Sequence, residues 1–311
     1  MRDAFIAELN QIADADPRLL LLAGDIGFKV FDRFREVHGD RFVNCGIAEA
    51  NMIGMSAGLA MTGLRPFVYT IVPFLTMRAF EQIRVDLCMH DQPVVLVGVG
   101  GGLAYDVLGP THHAIEDVAL MRALPRMSVI VPCDPDEARQ ATVAAHAATH
   151  PVYVRLGKNG EPSLGTSNMP AFEIGRARIM CEGTDTGIIG CGPILSIAME
   201  AADILEKKGI SCRVVNMHTV KPLDKACVLE TVNSVDALAT IEEHSVIGGL
   251  GSAVAEVIAE GGVALPFRRF GIDDRFTTKI DTQAGLLDFH GLTAHALADW
   301  LASQVKSGAK S

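Results

Sequence analysis

Glu49 is the only charged residue in the stretch GIAEANMIGMSAGLAMTG, residues 46–63, and no Lys or Arg lies between Arg41 and Arg65. A carboxylate set among Gly, Ala, Met, Ile and Leu is costly to bury unpaired, so it either takes up a proton or meets a specific partner. A solvated helix face would carry several charges of both signs. The plainer role is a first-turn helix acid, stabilised by the dipole after Asn44 or Gly46. Residue types alone leave both roles open.

A second candidate is GPTHH, residues 109–113. Adjacent histidines diverge on most backbones, so His112 and His113 make a poor metal pair without further ligands at suitable spacing. They do follow the carboxyl end of an apolar run, where a parallel sheet places its ligands. Two glycine-rich turns, Gly98-Val-Gly100-Gly101-Gly102 and Gly190-Cys191-Gly192, also follow apolar runs. Neither has the third glycine, the helix start and the distant acid of a dinucleotide site. Tight strand-to-helix turns demand such glycines in any case.

The elements that must carry these residues alternate along the chain. DAFIAELNQIA has helical period and RLLLLAGD is a strand-length apolar run; FVNCG and EANMIGMSAGLAMTG repeat the pair, as do RPFVYTI and MRAFEQIRVDLCMH. PVVLVGVGGG, AIEDVALMRALP, SVIVPCD, PDEARQATVAAHAA and PVYVRLG continue it. Such alternation implies crossover units and a mainly parallel sheet flanked by helices, an α/β class. GKNGEPSLGTSNMPAF is rich in Gly, Pro, Ser and Asn and reads as a linker. The alternation then restarts with DTGIIGCG, ILSIAMEAADILEKKG, SCRVVNMH, ALATIEEH, GGLGSAVAEVIAEGG and PFRRFGI. Two α/β domains are therefore expected, at 1–160 and 172–311, joined by a linker at 161–171.

Bulk properties narrow the class. With 311 residues, 49% hydrophobic and 21% charged, the chain can bury a large core. A net charge of −10 with scattered basic residues argues against a nucleic-acid partner. Seven cysteines without a CxxC pair fit reduced thiols and a cytoplasmic location. The first residues lack a signal-peptide layout, and the longest apolar stretch carries Asn44, Glu49 and Asn51, so no membrane span is expected.

Several segments, in order, resemble a known family. FVNCGIAEANMIGMSAGLAMTGLRPF, FLTMRAFEQIR, GPTHHAIEDVALMRALPRMSVIVPCDPDEA and PVYVRLGK look like the pyrimidine-binding domain of the transketolase family. MHTVKPLD and TIEEHSVIGGLGSAVAEVI resemble the carboxyl-terminal domain shared by transketolases, deoxyxylulose-phosphate synthases and 2-oxoacid dehydrogenase beta subunits. The resemblance implies thiamine diphosphate as cofactor. Glu49 then matches the glutamate that hydrogen-bonds a ring nitrogen of the aminopyrimidine and favours its imino tautomer. An apolar pocket strengthens such a shared-proton bond, and the cofactor carries the hard chemistry. On the same basis Phe74 matches an aromatic that stacks on the pyrimidine, and Asp25 and Ile47 match positions close to the cofactor. His112 matches a histidine that contacts substrate and moves protons, with His113, in place of a more usual Gln, able to assist. Lys158 and Arg2 match phosphate-binding arginines.

Departures from the family accompany these matches. Leu108 replaces an acid that recognises a sugar hydroxyl, and Gly100 replaces a phosphate-binding histidine. An anionic or bulky acceptor other than an ordinary pentose phosphate is the expectation. No Gly-Asp-Gly…Asn segment for the diphosphate and Mg²⁺ occurs in the sequence; the Ala23-Gly24-Asp25-Ile26-Gly27 run has the wrong spacing. The chain thus resembles the carboxyl-terminal subunit of a split transketolase, working with an amino-terminal partner in an α2β2 assembly on small sugar or ketol substrates. The alternatives are a 2-oxoacid dehydrogenase beta subunit, a deoxyxylulose-phosphate-synthase-like decarboxylating enzyme, or a non-catalytic scaffold.

Overall fold

The structure is a computed structural model that describes residues 1–27, 29–158 and 160–305. Twelve strands among these residues form two sheets. The first half of the chain contains β1 (Leu19–Ala23), β2 (Phe42–Asn44), β3 (Arg65–Ile71), β4 (Val95–Val99), β5 (Ser128–Ile130) and β6 (Val152–Leu156). The second half supplies β7 (Arg178–Cys181), β8 (Thr186–Gly190), β9 (Cys212–Asn216), β10 (Thr219–Lys221), β11 (Ala237–Ser245) and β12 (Phe267–Ile272). The orders are β10-β5-β6-β4-β3-β1-β2 and β12-β11-β8-β9-β7. Only β10 on β5 and β7 on β9 pair antiparallel.

The expected alternation of strands and helices is present. LLLLA in β1, VLVGV in β4 and VYVRL in β6 are buried along their whole length, as strands covered by helices on both faces must be. Several short elements are not foreshadowed by sequence pattern, among them the strands β7 and β10 and the helices Asp32–Val37, Val72–Thr76 and Gln283–Phe289. None has an apolar run long enough to announce itself. β10 comes from the second half yet extends the first sheet, with Thr219 opposite Ile130.

Buried polar groups join the two halves. Arg155, in β6, donates through Nε to Asp117 Oδ2 at 2.9 Å and through Nη2 to the carbonyls of Ala114 at 2.7 Å and Glu243 at 3.0 Å. Glu243, in β11, accepts from the Leu103 amide at 2.7 Å and from Gln283. Burial pushes its carboxyl up from the ordinary value, against those hydrogen bonds. Farther along the junction, Arg178 and Asn216 both reach Glu137, at 3.1 and 2.9 Å.

Gly102 lies where this clasp closes. Its φ is +67°, and a Cβ there would overlap the Glu243 carboxyl. Because Glu243 is held by two donors, it has no room to yield. Gly102→Ala is therefore expected to destabilise the fold by about 1–3 kcal/mol. A change under about 0.5 kcal/mol in urea unfolding would show that the clasp is softer than its hydrogen bonds indicate.

Candidate active site

The sheet order explains why distant segments meet. β6, β4, β3, β1 and β2 are consecutive neighbours and mutually parallel. Their carboxyl ends therefore form one edge. Asp25 follows β1, Glu49 follows β2, Phe74 follows β3, His112 and His113 lie in the loop after β4, and Lys158 follows β6.

Glu49 opens the helix Glu49–Met61, whose inner face buries Met52, Ile53, Ser56, Ala57 and Ala60. Its carboxylate is 1% exposed. It does meet a specific partner: Arg78 Nη1 donates to Oε2 at 2.8 Å. Among the described residues no hydrogen bond reaches Oε1. The same guanidinium carbon stands 4.6 Å from the centre of the Phe74 ring, and the His112 ring meets Phe74 edge-on at 5.3 Å. Glu49, Arg78, Phe74 and His112 are thus one contiguous group.

Tyr105 extends it. Its ring lies 5.7 Å from His112, and Lys158 Nζ lies 5.0 Å from the ring centre. Burial raises its hydroxyl pKa, which the charge of nearby Arg2 opposes. Gly100, with φ +80°, makes this possible, since a Cβ there would overlap the Tyr105 ring. The glycine at position 100 and the tyrosine at 105 are therefore one feature of the loop. Leu108 sits half exposed on the same loop.

The other candidates are placed differently. His113 is buried, with Nε2 bonded to the Asp106 carbonyl at 2.9 Å, so it diverges from His112. Asp25 has φ +55° and exchanges hydrogen bonds with Asn44, at 3.2 Å through its amide and 3.0 Å through Oδ1. Ile47 is 77% exposed two residues before Glu49. Arg2 pairs with Asp3 at the start of the first helix. Sequence pattern singles out neither Arg78 nor Tyr105. Arg78 does leave a trace there, as the first basic residue after Arg65 and one helical turn beyond Phe74.

This arrangement suits a flat nitrogen heterocycle. One carboxylate oxygen is free to accept an N–H among the described residues, and an aromatic ring shares Arg78 with the other oxygen. Among the described residues no cluster of three His, Cys, Asp or Glu could hold a metal ion.

Fold and site together define a two-domain α/β protein with a buried carboxylate, aromatic rings and a histidine along one sheet edge. The transketolase pyrimidine-binding domain model matches residues 1–161, and the transketolase C-terminal domain model matches residues 175–297. The chain belongs to the transketolase family, whose enzymes generally use thiamine diphosphate with a divalent metal. It is 36% identical over 274 residues to a subunit of the apulose-4-phosphate transketolase of Phocaeicola vulgatus, covering 88% of this chain and 87% of that one. It is 38% identical over 269 residues to the 1-deoxy-D-xylulose-5-phosphate synthase of Thermomicrobium roseum, covering 85% of this chain but 42% of that enzyme. A solved split-gene transketolase, described as an inactive beta4 tetramer, superposes with a TM-score of 0.88 at 37% identity, over 98% of this chain and 97% of that one. Among the described residues no helix is long and apolar enough to cross a membrane.

Proposed function

We propose that this chain is the carboxyl-terminal subunit of a split thiamine-diphosphate-dependent transketolase, which transfers a two-carbon ketol unit once joined to an amino-terminal partner. The observation that carries this reading is Glu49: a carboxylate 1% exposed, with one oxygen open, beside the Phe74 ring. When bound, thiamine diphosphate supplies the carbon nucleophile and electron sink of the transfer. The chain's own groups do the rest. Glu49 shares a proton with the pyrimidine ring nitrogen, Phe74 covers the ring, and His112 moves protons at the substrate. Asp25 and Ile47 border the cofactor, and His113 supports the loop behind His112. The partner carries Gly-Asp-Gly…Asn and holds the diphosphate and Mg²⁺.

A partner-facing surface adjoins the site. The outer side of the helix Glu49–Met61 exposes Gly54, Met55, Gly58 and Met61, and Ile47, Met77 and Leu108 are exposed nearby in the chain or site loop. Small and flexible apolar residues allow close subunit contact. On this reading the sites lie between chains of an α2β2 assembly; the relatives named as a transketolase subunit and as a split-gene transketolase support a partner subunit.

Lys158 and Arg2 form the anion end of the site, next to Tyr105. Lys158→Met in the assembled enzyme is expected to raise KM for an anionic acceptor roughly tenfold and leave kcat within about twofold. An unchanged KM would remove Lys158 from the acceptor site. Acceptor profiling tests specificity: with Leu108 and Gly100 where hydroxyl and phosphate contacts are expected, ribose 5-phosphate should not be strongly preferred. The synthase relative supports a second reading, a decarboxylating ligase. Release of CO₂ from pyruvate, without ketol transfer, would favour it.

A further inference from the structure

Arg78 touches two groups at once: Nη1 reaches Glu49 Oε2 at 2.8 Å, and the guanidinium carbon lies 4.6 Å from the Phe74 ring centre. Those are the carboxylate and the aromatic face that the proposed cofactor site offers to an aminopyrimidine. A guanidinium resembles that ring in the relevant ways, being planar, delocalised, edged with N–H donors and prone to stack on aromatic faces. The two occupants therefore compete for the Phe74 face and for the pairing of the Glu49 carboxylate, of which Arg78 holds Oε2.

Their freedom to move is unequal. The Arg78 side chain is 48% exposed, whereas that of Glu49 is 1% exposed. Arg78 can turn into solvent at small cost; Glu49 cannot leave its pocket, and without a partner it would be a buried, uncompensated charge. Arg78 is the one ion-pair partner of Glu49 among the described residues.

We propose that Arg78 is a placeholder for the aminopyrimidine. It keeps Glu49 paired and the Phe74 ring covered while the subunit is without cofactor, and it releases both when the cofactor enters. The proposal rests on the thiamine diphosphate reading above. It makes cofactor entry an exchange of partners at Glu49 in place of simple filling. The contacts surrendered are an ion pair and a cation–π contact that are exposed on the arginine side alone, so removing them should tighten cofactor binding roughly three- to tenfold.

The test is calorimetric titration of thiamine diphosphate, at fixed Mg²⁺, into the full chain assembled with its amino-terminal partner. Arg78→Ala is expected to bind roughly three- to tenfold tighter than the wild type. Arg78→Lys should fall between them, because it keeps the charge but loses the flat stacking surface. A purely structural arginine would not give that ordered tightening. Equal or weaker binding by Arg78→Ala, with the wild type binding normally, overturns the placeholder and makes Arg78 a lasting co-ligand of Glu49. If the alanine variant does not assemble, Arg78→Lys decides by the same sign. Absence of binding by wild type and variants alike overturns the cofactor reading itself, and the placeholder with it.

Discussion

Glu49→Gln in the assembled enzyme is expected to lower turnover about 10²- to 10⁴-fold, the range for loss of a positioned proton-transfer group, while melting temperature and partner binding stay at wild-type values. The amide keeps the shape of the carboxylate and, before the cofactor enters, can still accept from Arg78 across the same 2.8 Å contact. It cannot share a proton with a ring nitrogen. Because Glu49 is 1% exposed, water cannot take over that role. Steady-state turnover under saturating cofactor, with melting curves as the control for folding, separates the outcomes. A rate within a fewfold of wild type would show that Glu49 is the first-turn helix acid of the plainer reading and no more.

Arg155→Met is expected to cost about 3–5 kcal/mol of stability, the typical loss when one member of a buried ion pair is removed. Asp117 is fully buried and would keep only the Tyr153 hydroxyl, at 2.7 Å. The carbonyls of Ala114 and Glu243 would each lose a donor as well. Adding Asp117→Asn should recover part of the loss, since the carboxylate left without its partner is then gone. Urea unfolding of the three proteins measures this, and a single-variant loss under about 1 kcal/mol would contradict it. The consequence reaches the site, because Arg155 and Glu243 clamp the base of the loop that carries Tyr105 and His112.

Local pattern made the first-order fold legible. Apolar runs such as LLLLA and VLVGV have the length of covered strands, and their alternation with helical periods implies parallel crossovers. β10 was not legible, because three residues carry too little pattern and its pairing with β5 is a contact between halves. At the site, Glu49 was conspicuous as a lone charge in an apolar stretch, and the same electrostatics left it either to take up a proton or to meet a partner. The partner's identity depended on how β3 and the helix Glu49–Met61 pack, which periodicity does not encode. The tie between Gly100 and Tyr105 was equally hidden: a missing side chain reads as a loss until the ring that fills its space is seen. Adjacent His112 and His113 were expected to diverge, and they do, one toward Phe74 and the other into the fold.

Whether this chain is one half of a thiamine diphosphate enzyme can be decided by affinity purification from its native host, followed by mass spectrometry and a thiamine diphosphate assay of the eluate. The expected result is a stoichiometric second chain bearing Gly-Asp-Gly…Asn, with the cofactor bound. Recovery of this chain alone, without cofactor, would contradict that and favour a scaffolding role in which Glu49 and Arg78 are only a buried ion pair.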